Sequence, residues 1–162
     1  MLSALIAEGA PIMVQARQLG LNLPVIGGNG MNSVKVFDLA KGASDGLWIG
    51  SPWSIENQTK ENGAFIVAYT KQHKAAPDQF AAQAYDAMYI AAQALKKVKL
   101  SGDLAKDRAA LRDALPAVKW AGATGGFSFR RALDRAGKPA GYDAEQTAIV
   151  SVTKNGRYAI EK

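Results

Sequence analysis

The chain has no cysteine, one histidine (His73), and no apolar run near the roughly 20 residues needed to span a bilayer. Without cysteine there are no disulfides and no thiolate metal sites. His73 lies among Lys71, Gln72 and Lys74, at the end of a helix-like stretch where a cation suits the helix dipole. With no second histidine and no carboxylate cluster nearby in sequence, neither a metal set nor a nucleophile–base pair is legible. The glycines at 27, 28 and 30 have the wrong spacing for a dinucleotide fingerprint and lack its acidic partner, and no phosphate-binding loop with Lys and Ser/Thr is present. The net charge is +6, from 20 basic and 14 acidic residues. The basic residues are dispersed, with small clusters at Lys96, Lys97 and Lys99 and at Arg130 and Arg131. A nucleic-acid surface needs a concentrated stripe with stacking aromatics beside it, so the charge reads as solubility and no nucleic-acid partner is expected. Met1 runs into an apolar segment with no basic region or cleavage site, so no secretory signal is legible there.

What is present suits a packed domain. The 162 residues are 48% apolar and 21% charged, which supplies ample core for about one domain. Two stretches carry most of the information: Leu2-Ser-Ala-Leu-Ile-Ala-Glu-Gly-Ala-Pro and Leu23-Pro-Val-Ile-Gly-Gly-Asn-Gly-Met-Asn. Each reads as a brief apolar strand, a turn of small residues, then a helix. The turns hold one polar side chain each, Glu8 and Asn29. A third run, Gly46-Leu-Trp-Ile-Gly-Ser-Pro-Trp, repeats the strand and ends on Trp53.

The spacing predicts a strand over 2–7, then a helix opened by Pro11 and closed by Gly20. A strand over 24–27, a helix capped by Asn32 or Ser33 and closed by Gly42, and a strand over 46–50 follow. That βαβαβ order predicts a parallel sheet covered by helices. In such sheets ligands bind at the carboxyl ends of the strands. Glu8, Asn29 and Trp53 then share one edge, which points to a small-molecule cleft more than to catalysis.

Pro52 marks a boundary, after which helices dominate. They are predicted over 57–74, from the cap Asp78 to about 98, and over 105–115. Tyr85 and Tyr89 fall at helical spacing and read as core. Residues 122–129 are glycine-rich, then extended; 130–146 read as a long surface loop. Asn155-Gly156 between two strand-like runs predicts a hairpin.

Together these residues resemble the type I periplasmic solute-binding proteins of ABC transporters, nearest the leucine/isoleucine/valine-binding (branched-chain amino acid) receptors. The resemblance is carried by Gln15-Ala-Arg-Gln-Leu-Gly-Leu, Pro24-Val-Ile-Gly-Gly-Asn-Gly, the run from Gly46 to Pro52, Pro77-Asp-Gln-Phe-Ala-Ala-Gln-Ala-Tyr-Asp-Ala and Gly122-Ala-Thr-Gly-Gly-Phe-Ser-Phe. It implies an α/β fold of two Rossmann-like, doubly wound lobes, of which this chain is the C-terminal half. By that comparison residues 1–51 belong to the C-terminal lobe, 52–121 to the N-terminal lobe, and 122–162 cross back. It further implies an extracytoplasmic receptor that is no enzyme, needs no cofactor, binds a small amino acid or organic or aromatic acid, and delivers it to a membrane permease. A ligand-sensing domain of a receptor or regulator with the same fold is the alternative. Strands left without neighbours invite pairing with another chain, so an oligomer or swapped dimer is expected.

Within that frame Asn29 stands where amino-acid-binding relatives often carry an acidic residue for the ligand ammonium. A neutral side chain there weakens the case for an ordinary α-amino acid and leaves room for a carboxylate, an aromatic acid or an amide. The alternative is that Asn29 only serves the turn through left-handed backbone geometry. Glu8 either takes over the ammonium or is an exposed helix-start carboxylate. Gly9, Gly28 and Gly30 allow close approach of a ligand or simply satisfy sharp turns. Ser51 and Pro52 read as hinge. Trp53 beside them stacks on the solute or packs against the neighbouring lobe, and Phe80 forms an apolar wall.

Overall fold

The computed structural model describes residues 1–161, which divide between two sheets. In the first, β1 (Val25–Gly27) and β2 (Leu47–Ser51) run parallel, with Val25 opposite Leu47 and Gly27 opposite Ile49. Leu2 extends the parallel part by a single bridge to Gly27, its amide donating to the Ile26 carbonyl at 2.7 Å. The hairpin of β6 (Ile149–Lys154) and β7 (Arg157–Ile160) completes the sheet, with β6 antiparallel to β2. Asn155 and Gly156 at its tip both take left-handed φ (51° and 72°), the geometry that the twist of a two-residue hairpin loop demands.

Side chains alternate across a strand, so this sheet has two unlike faces. Helices α1 (Ile6–Gln18) and α2 (Lys35–Ala40) cover one, where Leu47, Ile49 and Tyr158 pack with Met13, Met31 and Val36. Two polar groups fasten this core. Thr153, fully buried, accepts from the Leu47 amide at 3.0 Å and donates to the Ser44 carbonyl. The Tyr158 hydroxyl reaches the Ser33 carbonyl at 3.0 Å and the Met31 carbonyl at 3.2 Å. Burial pushes its pKa above the ordinary phenol value, so it remains a donor. On the opposite face Ile26 and Val150 stand open to solvent.

The second sheet is antiparallel, in the order β3 (Trp120–Gly122), β4 (Gly125–Leu133), β5 (Pro139–Gln146). It associates with α3 (Lys60–His73), α4 (Gln79–Leu95) and α5 (Leu104–Ala114). All three helices carry side-chain N-caps: Thr59, Asp78 and Asp103 accept from the amides of Asn62, Ala81 and Ala105. One cluster gathers Trp53, Phe65, Ala82 and Ala123, and another Ile90, Ala94 and Val118.

Three expectations are corrected. Residues 2–7 are not a strand: only Leu2 bridges, and α1 begins at Ile6, so Pro11 lies inside that helix and not at its start. Residues 130–146 are not a loop but most of the β4–β5 hairpin. Their polarity reflects exposure on both faces, with Arg130 opposite Asp143, and not lack of pairing. Gly137 supplies positive φ in its turn, and Gly141 does so beside the register shift at Ala132 and Leu133. The second sheet, antiparallel throughout, was not foreseen, whereas the parallel pairing of β1 with β2 and the closing β6–β7 hairpin were.

Candidate functional site

Because β1 and β2 are parallel neighbours, the segments leaving them emerge side by side. Gly28 is extended (φ −81°), and Asn29–Met31 form a single 3₁₀ turn. Met31 points inward and is fully buried. A Cβ on Gly9 would come within 2.6 Å of the Met31 Cε, so the absence of a side chain at Gly9 makes room for the buried Met31 thioether. A Cβ on Gly30 would meet the Ala4 carbonyl oxygen at 3.0 Å and Leu5 Cδ2 at 2.9 Å, so the turn is pressed against the start of α1. Nothing lies within 4 Å of a Cβ at Gly28. That glycine borders open space.

Asn29 is exposed, and it is not among the residues with positive φ. The turn therefore does not need asparagine for left-handed geometry. Among the described residues its side chain has no hydrogen-bond partner. Glu8 is exposed in the first turn of α1, the end of the dipole that favours a carboxylate. Phe80, the second residue of α4, is 52% exposed.

Trp53 differs from these. It is 2% exposed, packs with Phe65, Ala82 and Ala123, and donates its indole N–H to Asn62 Oδ1 at 2.7 Å. Asn62 in turn donates to the carbonyls of Ser54 (3.1 Å) and Asn57 (2.8 Å). Of the two roles considered for Trp53, packing is the one this geometry serves.

The link between the sheets is narrow. Ser51, the last residue of β2, is paired with Ile149, the first of β6. The chain therefore leaves the first sheet after Ser51 and re-enters it at Ile149 at one place. A buried polar hub sits there. Asn32 Nδ2 lies 2.7 Å from the Trp53 carbonyl, 2.8 Å from Ser51 Oγ and 3.2 Å from Gln79 Oε1. In the sequence Asn32 or Ser33 reads as a helix cap and Gln79 carries no site signal, because a buried amide leaves no periodic mark.

Asp86 makes a second hub. Its carboxylate, 3% exposed, accepts from Trp120 Nε1 (3.0 Å), the Ala123 amide (3.0 Å), the Thr124 amide (2.7 Å) and Thr124 Oγ1 (2.7 Å). With its acceptor sites engaged it fastens α4 to the segment after β3 and is not free for proton transfer. Tyr85 and Tyr89 were expected in the core but are 38% and 42% exposed. The Tyr89 ring stacks on Trp120 with centroids 5.0 Å apart, beside a hollow of about 270 Å³ edged by Lys60 and Glu61. Among the described residues no three His, Cys, Asp or Glu side chains gather as a metal site, and no helix is long and apolar enough to cross a membrane.

A family profile described as periplasmic binding protein matches residues 1–156. The chain belongs to the periplasmic binding protein family. Among solved structures it is similar to the branched-chain amino acid transporter substrate-binding protein LivJ of Streptococcus pneumoniae, in complex with isoleucine (28% identity, TM-score 0.76, 98% of this chain and 42% of that one). It is also similar to a Rhodopseudomonas palustris ABC transporter solute-binding protein in complex with benzoate (25% identity, TM-score 0.74, 99% and 40%). The leucine-binding protein LivK of Thermotoga maritima shares its fold at 23% identity (TM-score 0.77, 99% and 42%). No curated protein matches. The chain thus spans about two fifths of the length of the solved structures it matches. The fold is that of type I periplasmic binding proteins, a family of extracytoplasmic solute-binding proteins, as the sequence resemblance implied.

Proposed function

We propose that this periplasmic binding protein serves as the solute receptor of an ABC-type importer, outside the cytoplasm, and hands its ligand to the membrane permease. The ligand is a small amino acid or organic or aromatic acid held between two lobes. One lobe rests on the first sheet, including its β6–β7 hairpin, and the other on the residues between the two crossings, with Ser51 and Pro52 as one hinge segment and residues 146–149 as another. The observation that carries this reading is the joined exit from β1 and β2, where Asn29 presents an uncommitted amide beside open space at Gly28. Gly30 seats that turn, Glu8 lies in the helix that the turn packs against, and Phe80 offers exposed apolar surface at the start of α4.

The free amide of Asn29 favours an acid without an ammonium group over an α-amino acid, because Asn29 offers an ammonium no charge and Glu8 stands in the first turn of α1, where the helix dipole already favours its carboxylate. A thermal-shift panel of aliphatic amino acids against benzoate and other small acids tests this. Stabilisation by the acids is expected; stabilisation by amino acids alone would overturn the ligand assignment. In Asn29→Asp, repulsion between two carboxylates is expected to weaken binding of an anionic ligand by tenfold or more, about 1.4 kcal/mol. Unchanged affinity would put Asn29 outside the cleft.

The open face of the first sheet and the free edge of β5 support self-association of this chain. Sedimentation velocity is expected to give a dimer or larger species, and a monodisperse monomer at micromolar concentration would refute it.

A further inference from the structure

The hub at the sheet junction is over-subscribed on one side and under-satisfied on the other. Asn32 Nδ2 carries two hydrogens but faces three acceptors, and Gln79 Oε1 is the farthest of them. Gln79 itself is fully buried, and its Nε2 has no hydrogen-bond partner among the described residues. A buried donor without an acceptor disfavours the arrangement that contains it. The other buried side-chain amide nearby, Asn62, has both Nδ2 hydrogens and its oxygen engaged. The deficit is therefore particular to Gln79.

Its position gives the deficit a consequence. Asn32 directly follows the turn that carries Asn29, and Gln79 directly precedes Phe80. The pair spans the junction, from the exit of β1 to the first residue of α4. We propose that Asn32 and Gln79 form a releasable latch between the two sheets. In the arrangement seen here the latch is closed but strained by the unpaired Gln79 N–H. When the sheets swing about residues 51–53 and 146–149, Gln79 leaves Asn32 and both ends of its amide find partners, water included. Asn32 keeps Ser51 Oγ and the Trp53 carbonyl, so release leaves no orphan on that side. Two discrete hydrogen-bonding patterns then bias the lobes toward two discrete arrangements, and ligand contacts at Asn29 and Phe80 tip the balance. This rests on the two-lobe reading given above.

The absence of native cysteine allows a direct test, because two introduced cysteines take spin labels cleanly. Lys35→Cys in α2 and Lys96→Cys after α4 are exposed and report the distance between the sheets by pulsed electron resonance, without ligand. The unaltered hub is expected to give two distance populations. Gln79→Met removes the orphan donor together with Oε1 while keeping length and apolar contact; the two Asn32 hydrogens keep Ser51 Oγ and the Trp53 carbonyl, so the arrangement seen here loses its orphan and gains none. It is expected to shift the ratio at least about fivefold toward the distance seen here. Asn32→Ala removes the latch partner and is expected to shift it the other way. Opposite shifts support the latch. One unchanged population in both variants overturns it, as does lowered thermal stability in both with no change in distances. A fixed water on Gln79 Nε2 would satisfy the donor in place, leave Gln79→Met without effect and likewise overturn it. Should Gln79→Met fail to fold, Asn32→Ala decides alone. None of these readouts uses a solute, so failure of the latch is distinguishable from failure of the ligand assignment, which the thermal-shift panel tests.

Discussion

Asp86→Ala is expected to destabilise the protein by about 3 to 5 kcal/mol, a large share of the 5 to 15 kcal/mol that ordinary domains possess. The variant strands the indole N–H of Trp120 and the amides of Ala123 and Thr124, which now share one carboxylate. Each buried donor without a partner costs about 1 to 3 kcal/mol, and the costs overlap because the donors are neighbours. The site has no slack to recover them. A Cβ on Gly122 would stand only 2.0 Å from Asp86 Oδ1 and 2.2 Å from Trp120 Nε1, so the backbone is drawn tight around the carboxylate. Asp86→Asn retains an acceptor oxygen but turns an NH₂ toward donors, and should fall between the two. Urea unfolding measures both. A loss under about 1 kcal/mol for the alanine variant would mean that the hub is dispensable.

Trp53→Ala is expected to cost a similar amount, about 3 to 5 kcal/mol, by opening a cavity between Phe65, Ala82 and Ala123. It also leaves Asn62 Oδ1 without the indole donor. The informative companion is Trp53→Phe, which fills much of the space but strands Asn62, for an expected loss of about 1 to 3 kcal/mol. Because Trp53 is only 2% exposed, Trp53→Phe should leave affinity for any solute that the panel identifies within about threefold. A larger loss of affinity, with stability retained, would restore Trp53 to the ligand surface. Thermal melts and a binding titration on one preparation separate the two outcomes.

How far each element could be read from the chain depended on whether its signal was local. The cap at Asp78, the apolar spacing of α4 and the Asn-Gly hairpin are set by neighbours in sequence, and all form where the pattern directs. The β4–β5 hairpin escaped because a strand exposed on both faces has no alternation to display. The start of α1 escaped for another reason. Residues 2–7 are apolar enough for a buried strand, and nothing local marks that pairing stops at the Leu2–Gly27 bridge and that the helix starts at Ile6. At the site, Gly28, Asn29 and Gly30 were legible as a small-residue turn between a strand and a helix. Their three separate reasons became distinct only with coordinates. Gly30 avoids the Ala4 carbonyl, Gly28 borders open space, and Asn29 has an ordinary φ.

The sequence by itself determined the parallel β1–β2 pairing beneath two helices, the helical block after Pro52, the closing hairpin and the family. Those follow from periodicity, turn chemistry and motif order. Only the tertiary structure decided that Trp53 is core, that Gly9 makes room for Met31, that Asp86 is a fastener, and that Asn32 and Gln79 meet across the sheet junction. Asp86 fastens residues 34 to 38 positions away, and Asn32 and Gln79 are 47 positions apart. A contact between distant residues depends on how whole elements dock, and that information is spread over the chain instead of residing in any short stretch of it.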